Sequence, residues 1–199
     1  MSFDVEKYKR IFKNHVAKLT DYGNIKILDF AKPESNEYRI RFLFEEDYYR
    51  LHISGDLGQL TATNYCNMTY EGFSNFVNNI GYFKQKIDCL DRSIYIYDED
   101  LARKQLEEMA EEEGDWLDES DRYWGYTQET RLDNIIDDIL EDFSEESGIG
   151  EDGYCALTEI NPDAGEFCYK IGRKETGILD LYMLAFALAK EQIDKAAVQ

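Results

Sequence analysis

Apolar side chains recur along the first part of this chain at two different periods. Over residues 3–19, Tyr8, Ile11, Phe12, His15, Val16 and Leu19 keep the i, i+3, i+4 spacing of one helical face. Ser2 is the N-cap that this reading implies, and Tyr22-Gly23-Asn24 its stop. His15, on the stripe, reads as a histidine at the edge of the core. From residue 25 the period becomes two. Residues 25–30 form one apolar run, and Tyr38, Ile40, Phe42 and Phe44 alternate with Glu37, Arg39, Arg41 and Leu43. Tyr49, Leu51 and Ile53 alternate again, and residues 59–65 follow a Ser54-Gly55-Asp56-Leu57-Gly58 turn. Four strands joined by short turns predict an antiparallel meander.

The helical period then returns. Phe73, Phe76, Val77 and Ile80 share a face over residues 70–80, with residues 82–90 as a second helical piece and 93–97 as a short strand or extended link. Residues 98–113 read as a helix with a thin apolar stripe of Leu101, Ala102, Leu106, Met109 and Ala110, mounted on a surface. An irregular link with Trp116, Leu117, Tyr123, Trp124 and Tyr126 leads to a helix over 130–146. Thr130 and Asp133 form its capping box, and Leu132, Ile135, Ile136, Ile139, Leu140 and Phe143 form its unbroken stripe. Residues 148–153 read as an acidic turn, and 154–160 with 166–171 as a β-hairpin around Asn-Pro-Asp-Ala-Gly. Residues 176–195 form a helix apolar nearly all round from 181 to 189, suited to a buried central position or to a dimer contact.

These elements predict an α+β fold: an antiparallel β-meander packed against N- and C-terminal helices, with an acidic helical segment. Residues 1–97 would supply the first helix and the sheet. Residues 98–152 would be the acidic segment, an insertion or subdomain, and 153–199 a β-hairpin and C-terminal helix completing the same core.

Charge changes the picture most. Residues 1–97 carry 13 acids and 13 bases, whereas residues 98–152 carry 22 acids and four bases. A field so concentrated acts on partners: it attracts basic surfaces and repels nucleic acid and membranes. On the helix over 130–146, Asp133, Asp137 and Glu141 form one i, i+4 row, and Asp138, Asp142 and Glu145 another. The preceding helix stacks Glu107 on Glu111 and Glu108 on Glu112. Like charges so placed destabilise a helix by roughly 0.2–0.5 kcal/mol per pair. An i, i+4 step rises about 6 Å, so two rows offer close to one charge per ~3 Å, against a phosphate every ~3.4 Å along one strand of B-DNA. Two such helices would imitate a phosphate backbone toward a protein whose arginines and lysines bind DNA. Glu107, Glu108, Glu111, Glu112, Asp133, Asp137, Asp138, Glu141 and Asp142 are the candidate partner-binding residues. The plainer alternative is a solvated, solubilising insertion.

Catalytic and metal chemistry find little support in the sequence. No G-x-S-x-G, H-E-x-x-H or phosphate-binding glycine fingerprint occurs, and no cysteine and histidine form a nucleophile signature. Glu166 and Lys170 with distant acids do not make a specific nuclease pattern. The expectation is a protein that is not an enzyme, requires no cofactor and has no direct nucleic-acid or membrane partner. Cys66, Cys89, Cys155 and Cys168 lack CxxC spacing and read as free thiols. A structural zinc assembled from distant residues would draw on Cys89 with Asp91, His52 and Cys66, or with Asp88. The N-terminus has no apolar signal region, and the longest apolar run is too short to span a bilayer.

Within residues 51–98, a strand ends in Ile-Ser-Gly-Asp-Leu-Gly, a short helix follows, and Cys89-Leu90-Asp91-Arg92 precedes an acidic helix. This stretch resembles an uncharacterised group of small proteins encoded by phages and prophages; residues 114–199 have no counterpart in it. Small acidic phage proteins of this kind include anti-CRISPR inhibitors that bind RNA-guided DNA nucleases, several of them by imitating DNA. The resemblance therefore implies a phage-encoded inhibitor, acting in the cytoplasm of an infected or lysogenic bacterial host, whose partner is a basic nucleic-acid-binding host protein such as a CRISPR nuclease. The alternatives are a phage structural or regulatory protein that homodimerises through the C-terminal helix, and a zinc-stabilised protein-binding module.

Overall fold

The alternation of residues 25–63 builds the centre of a six-stranded antiparallel sheet in the order β1-β2-β3-β4-β5-β6. Its strands are β1 (Val16–Asp21), β2 (Ile25–Ala31), β3 (Ile40–Glu45), β4 (Arg50–Gly55), β5 (Leu60–Thr63) and β6 (Ile87–Leu90). The computed structural model describes residues 4–113, 116 and 128–197. The chain divides into two compact units, residues 1–94 with 177–199, and residues 95–176. The protein is thus α+β, with the expected meander.

In the first unit, Leu28, Phe30, Ile40, Phe42, Phe44, Leu51, Ile53, Leu60 and Ala62 point to one face and are buried. They meet Phe73, Phe76 and Phe83, carried by the segment holding α2 (Ser74–Val77) and α3 (Ile80–Lys84). The long α7 (Ile178–Ala197) completes the core. Its Phe186 sits edge-on to Phe42, Phe44, Tyr70 and Phe73 at 4.8–6.1 Å. Seven residues of α7, from Leu179 to Ala189, are buried within the chain itself.

Two expected helices are strands in their second halves. The N-terminal helix, α1 (Val5–Ile11), is capped by Asp4 and ends early; a 3-10 turn over Phe12–Asn14 leads into β1. Residues 16–21 follow the helical stripe equally well, but pairing with β2 across a Gly23 turn satisfies their backbone. Gly23 has φ +86° and donates to Asp21 Oδ1 at 2.7 Å. Among the described residues, β1 has no second strand beside it. Gln192 of α7 reaches over instead, accepting from Ala17 N–H and donating to His15 O, both at 3.0 Å. An edge that would otherwise recruit another chain is thereby occupied. His15 is 4% exposed, between the rings of Phe12 and Phe30, with Nε2 at 3.2 Å from Tyr38 O. Residues 87–90, expected to be helical, pair with β5 through a bulge at Thr61/Ala62.

The second unit packs α4 (Glu99–Glu113), α5 (Gln128–Leu140) and α6 (Glu151–Ile160) beside a two-stranded ribbon of β7 (Tyr95–Tyr97) and β8 (Arg173–Glu175). Ala102 and Leu106 are fully buried against Ile136, Ile139 and Leu157, so the thin stripe of α4 belongs to a core. Trp116 is 7% exposed in that core, which makes it a packing residue. Leu117, Tyr123, Trp124 and Tyr126 lie outside the described residues. α5 starts at Gln128, ahead of the expected Thr130 capping box, and stops at Leu140.

The expected hairpin over 154–171 is instead α6 followed by two 3-10 turns, Pro162–Glu166 and Cys168–Lys170. Gly153 and Leu157 are spaced for a helix, not for alternation, and both are buried. A Cβ on Gly153 would stand 2.0 Å from Ile139 O; glycine lets α6 lie directly on the α5 backbone. Asn161 ends the helix, and its side chain accepts from Asp163 N–H ahead of Pro162.

Candidate functional site

The second unit holds the charge. Residues 95–176 contain 26 acids and seven bases, a net of −19, while the rest of the chain has 16 acids and 15 bases. The segregation seen in the sequence therefore coincides with a structural boundary.

α4 begins where its acids are favoured. Asp98 accepts from Leu101 N–H at 2.9 Å and pairs with Lys174, and that ion-paired hydrogen bond holds its carboxyl below the ordinary range. Further along, Glu108, Glu111 and Glu112 are exposed and Glu107 is half-buried. Lys104 reaches Glu108 at 3.4 Å, but both ends are largely in water, so the pair holds Glu108 only weakly.

On α5, Asp133 and Asp138 are exposed, and so is Glu141 just past the helix end. Asp137 is bonded to Arg103 of α4 at 2.5 Å, a bond that keeps the two helices in register and uses one charge of the row.

Asp142 has a separate task. Its carboxylate accepts from the backbone N–H of Gly150, Asp152 and Gly153 at 3.2, 2.9 and 3.1 Å. These bonds, that from Asp152 first, hold its pKa down. It satisfies the orphan donors at the start of α6, and a Cβ on Gly150 would lie 2.1 Å from its Oδ2. The expected helix over 130–146 therefore ends at Leu140, nearly two turns early: residues 141–148 fold back through a Ser144↔Gly148 bridge to deliver Asp142. The rows are consequently shorter than expected. Glu107, Glu108, Glu111 and Glu112 stay on one helix, Asp133, Asp137 and Asp138 on its neighbour, and Glu141 lies at the turn.

Beside α4 lies a small open pocket of about 310 Å³ that the sequence did not reveal. Met109, Phe167 and Ile171 give it apolar walls, Glu108 and Glu112 stand at it one turn apart, and Lys170 faces it from the 3-10 turn. Phe167 was expected in a strand, so the wall that it forms had no signal in the period-2 reading. Gln105, which also lines it, accepts from Gly172 N–H at 2.7 Å.

The zinc candidates lie on the sheet and beside its strands. His52 on β4 and Cys89 on β6 both pair with Thr61 across the open face of the sheet. His52 bonds Thr61 Oγ1 through Nδ1 and Glu45 Oε2 through Nε2, each at 3.1 Å. Asp91 accepts from Gln59 N–H at 2.8 Å, closing the Gly55–Gly58 turn; Asp88 accepts from Thr63 Oγ1; and Cys66 is exposed after β5. Among the described residues, no group of three or more His, Cys, Asp or Glu is placed to hold a metal ion, and no helix is long and apolar enough to cross a membrane. The four cysteines are free.

The fold and the site together define an α+β protein with a charge-balanced sheet unit and a strongly acidic helical unit. Compared with known proteins, the chain matches no family model, no curated protein and no solved structure.

Proposed function

We propose that this protein is an inhibitor that docks its acidic second unit on the cationic nucleic-acid-binding groove of a partner protein and keeps DNA out. The single observation carrying the reading is the net charge of −19 confined to one compact unit. Carboxylates on α4 and α5 would meet arginines and lysines that otherwise hold phosphates, in charge-assisted hydrogen bonds of the same kind. Glu108, Glu111, Glu112, Asp133, Asp138 and Glu141 form the contact set. Asp137 and Asp142, already bonded within the unit, shape it. The phage-protein resemblance of residues 51–98 favours an RNA-guided DNA nuclease of bacterial defence as the partner, with the inhibitor acting in the host cytoplasm by binding and not by turnover. Oligomerisation through α7 is the weaker reading, because the apolar residues of that helix are buried in its own unit.

The test is competition. A guide-loaded nuclease is incubated with the protein, and its retention of labelled target DNA is followed by gel shift across a salt series. The expected result is loss of DNA binding that weakens steeply as salt rises and is relieved by Glu108→Lys with Glu112→Lys or by Asp133→Lys with Asp138→Lys. Inhibition that survives both charge reversals and is indifferent to salt refutes the reading.

A further inference from the structure

Resting on the reading above, we propose that the cavity beside α4 is an anchoring pocket for one arginine side chain of the basic partner. Its size sets the first constraint: about 310 Å³ is at the lower limit for small-molecule sites, room for one long side chain. Its lining sets the second. Met109, Phe167 and Ile171 can cover an aliphatic stem, while Glu108 and Glu112, one helical turn apart, can take the charged head.

That combination favours arginine over lysine. A guanidinium presents a planar fork of donors, bonds two carboxylates at once and stacks on an aromatic face; an ammonium is a compact, strongly hydrated point charge. Phe167 supplies the aromatic face. Among the described residues, two cations stand nearby and both can yield. Lys170 has its ammonium 5.1 Å from the Tyr169 ring centroid. Lys104, 70% exposed on its side chain, holds Glu108 only through a surface pair. A long cationic side chain from a partner would exchange with Lys104 and gain the apolar walls that Lys104 does not use. Within a broad and salt-sensitive acidic face, this open pocket would be the anchor that concentrates binding energy, its apolar walls covering one side of the bound stem.

The test uses the whole protein with fluorescent nine-residue poly-arginine and poly-lysine peptides, their affinities measured by anisotropy at matched salt. Wild type should prefer the arginine peptide about five- to tenfold. Glu108→Gln with Glu112→Gln should bring that ratio close to one, whereas Glu146→Gln with Glu159→Gln, removing the same charge from exposed positions elsewhere on the unit, should leave it unchanged. Phe167→Leu, which keeps apolar volume and removes the ring, should lower the ratio without abolishing binding; it serves as the second probe if the double variant is poorly folded. Equal affinity of wild type for the two peptides, or a ratio indifferent to both pocket variants, overturns the pocket while salt-sensitive binding of both peptides leaves the acidic-face reading standing. If neither peptide binds, both fall.

Discussion

Glycine at position 153 offers a test of how the second unit is held together, because two effects there have opposite signs. Alanine exceeds glycine in helix propensity by about 0.8–1.0 kcal/mol, so Gly153→Ala in α6 should stabilise if local preference governs. The structure opposes this. The new Cβ would stand 2.0 Å from Ile139 O and 2.9 Å from Ile149 Cγ2, both closer than real contacts allow. Relief requires α5 and α6 to part by about 1 Å, loosening the contacts of Ile136, Ile139 and Leu157, all fully buried. Overpacking of that kind costs roughly 1–3 kcal/mol or more, and a backbone oxygen cannot rotate away as a side chain can. The net expectation is a loss of about 1–2 kcal/mol. Gly81 in α3 is the control, since a Cβ there meets nothing within 4 Å; Gly81→Ala should gain a few tenths of a kcal/mol. Urea unfolding followed by far-UV circular dichroism, with slopes of about 1–3 kcal/mol/M, should show the midpoint falling by about 0.5–1 M for Gly153→Ala and rising slightly for Gly81→Ala. Equal shifts of the same sign would refute the close-approach argument.

Phe186→Ala should remove about 3–5 kcal/mol, near the top of that range because four aromatic rings lose an edge-on partner together; chemical denaturation measures it, and a loss below 1 kcal/mol contradicts the assigned core. Asp142 is held below its usual pKa by three backbone donors, so the unfolded state binds its proton first. Its contribution is complete above the ordinary carboxylate range and is lost as pH falls through the depressed value. Hydrogen exchange of α6 amides should show that acid-side loss in wild type, and Asp142→Asn should flatten it while lowering protection at neutral pH. Burial, opposed by hydrogen bonding to backbone carbonyls, lowers the pKa of His15, so its contribution is complete above about pH 6.5 and lost as pH drops below that. His15→Gln should flatten the first unit's stability profile between pH 7 and 5, and an unchanged profile would remove His15 from the account. Added salt should increase amide protection in α4 and α5 by screening their carboxylates, and leave β2–β4 nearly unchanged; uniform behaviour would show that the repulsion is not local.

The meander was legible because its strands are half-buried: Ile40, Phe42 and Phe44 alternate with Arg41 and Leu43, and only a strand places the first three on one face. α7 was legible because 20 residues of nearly unbroken helix formers leave no alternative. Failures came where one pattern serves two periods. Val16 and Leu19 fit the stripe of α1 as readily as they fit β1, and the choice was made by a hairpin partner nine to fifteen residues away. Residues 154–171 looked like a hairpin because Asn-Pro-Asp-Ala-Gly is a turn in either setting. Asp142 was the most instructive case: as one more acid in a row it seemed surface charge, and only the fold-back at 141–148 shows it bonding three amides. Sequence spacing could find the acidic rows but could not tell carboxylates facing water from those holding the unit together.

That distinction limits what charge alone can mean here. If all 26 acids of the second unit faced solvent, repulsion would oppose a small core with only seven bases to offset it. The structure relieves part of this internally: Asp98 on Lys174, Asp137 on Arg103 and Asp142 on three amides convert repelling charges into ties between elements. Glu108, Glu111, Glu112, Asp133, Asp138 and Glu141 remain exposed. For these, a cationic partner of the kind proposed would do what no described residue of the unit does fully, neutralising like charges fixed on neighbouring helices. Binding and folding should therefore respond to salt in opposite directions, the complex weakening while the acidic helices gain protection. Loss of inhibition at high salt accompanied by greater protection of α4 and α5 would come from a screened interface, and unfolding could not produce it.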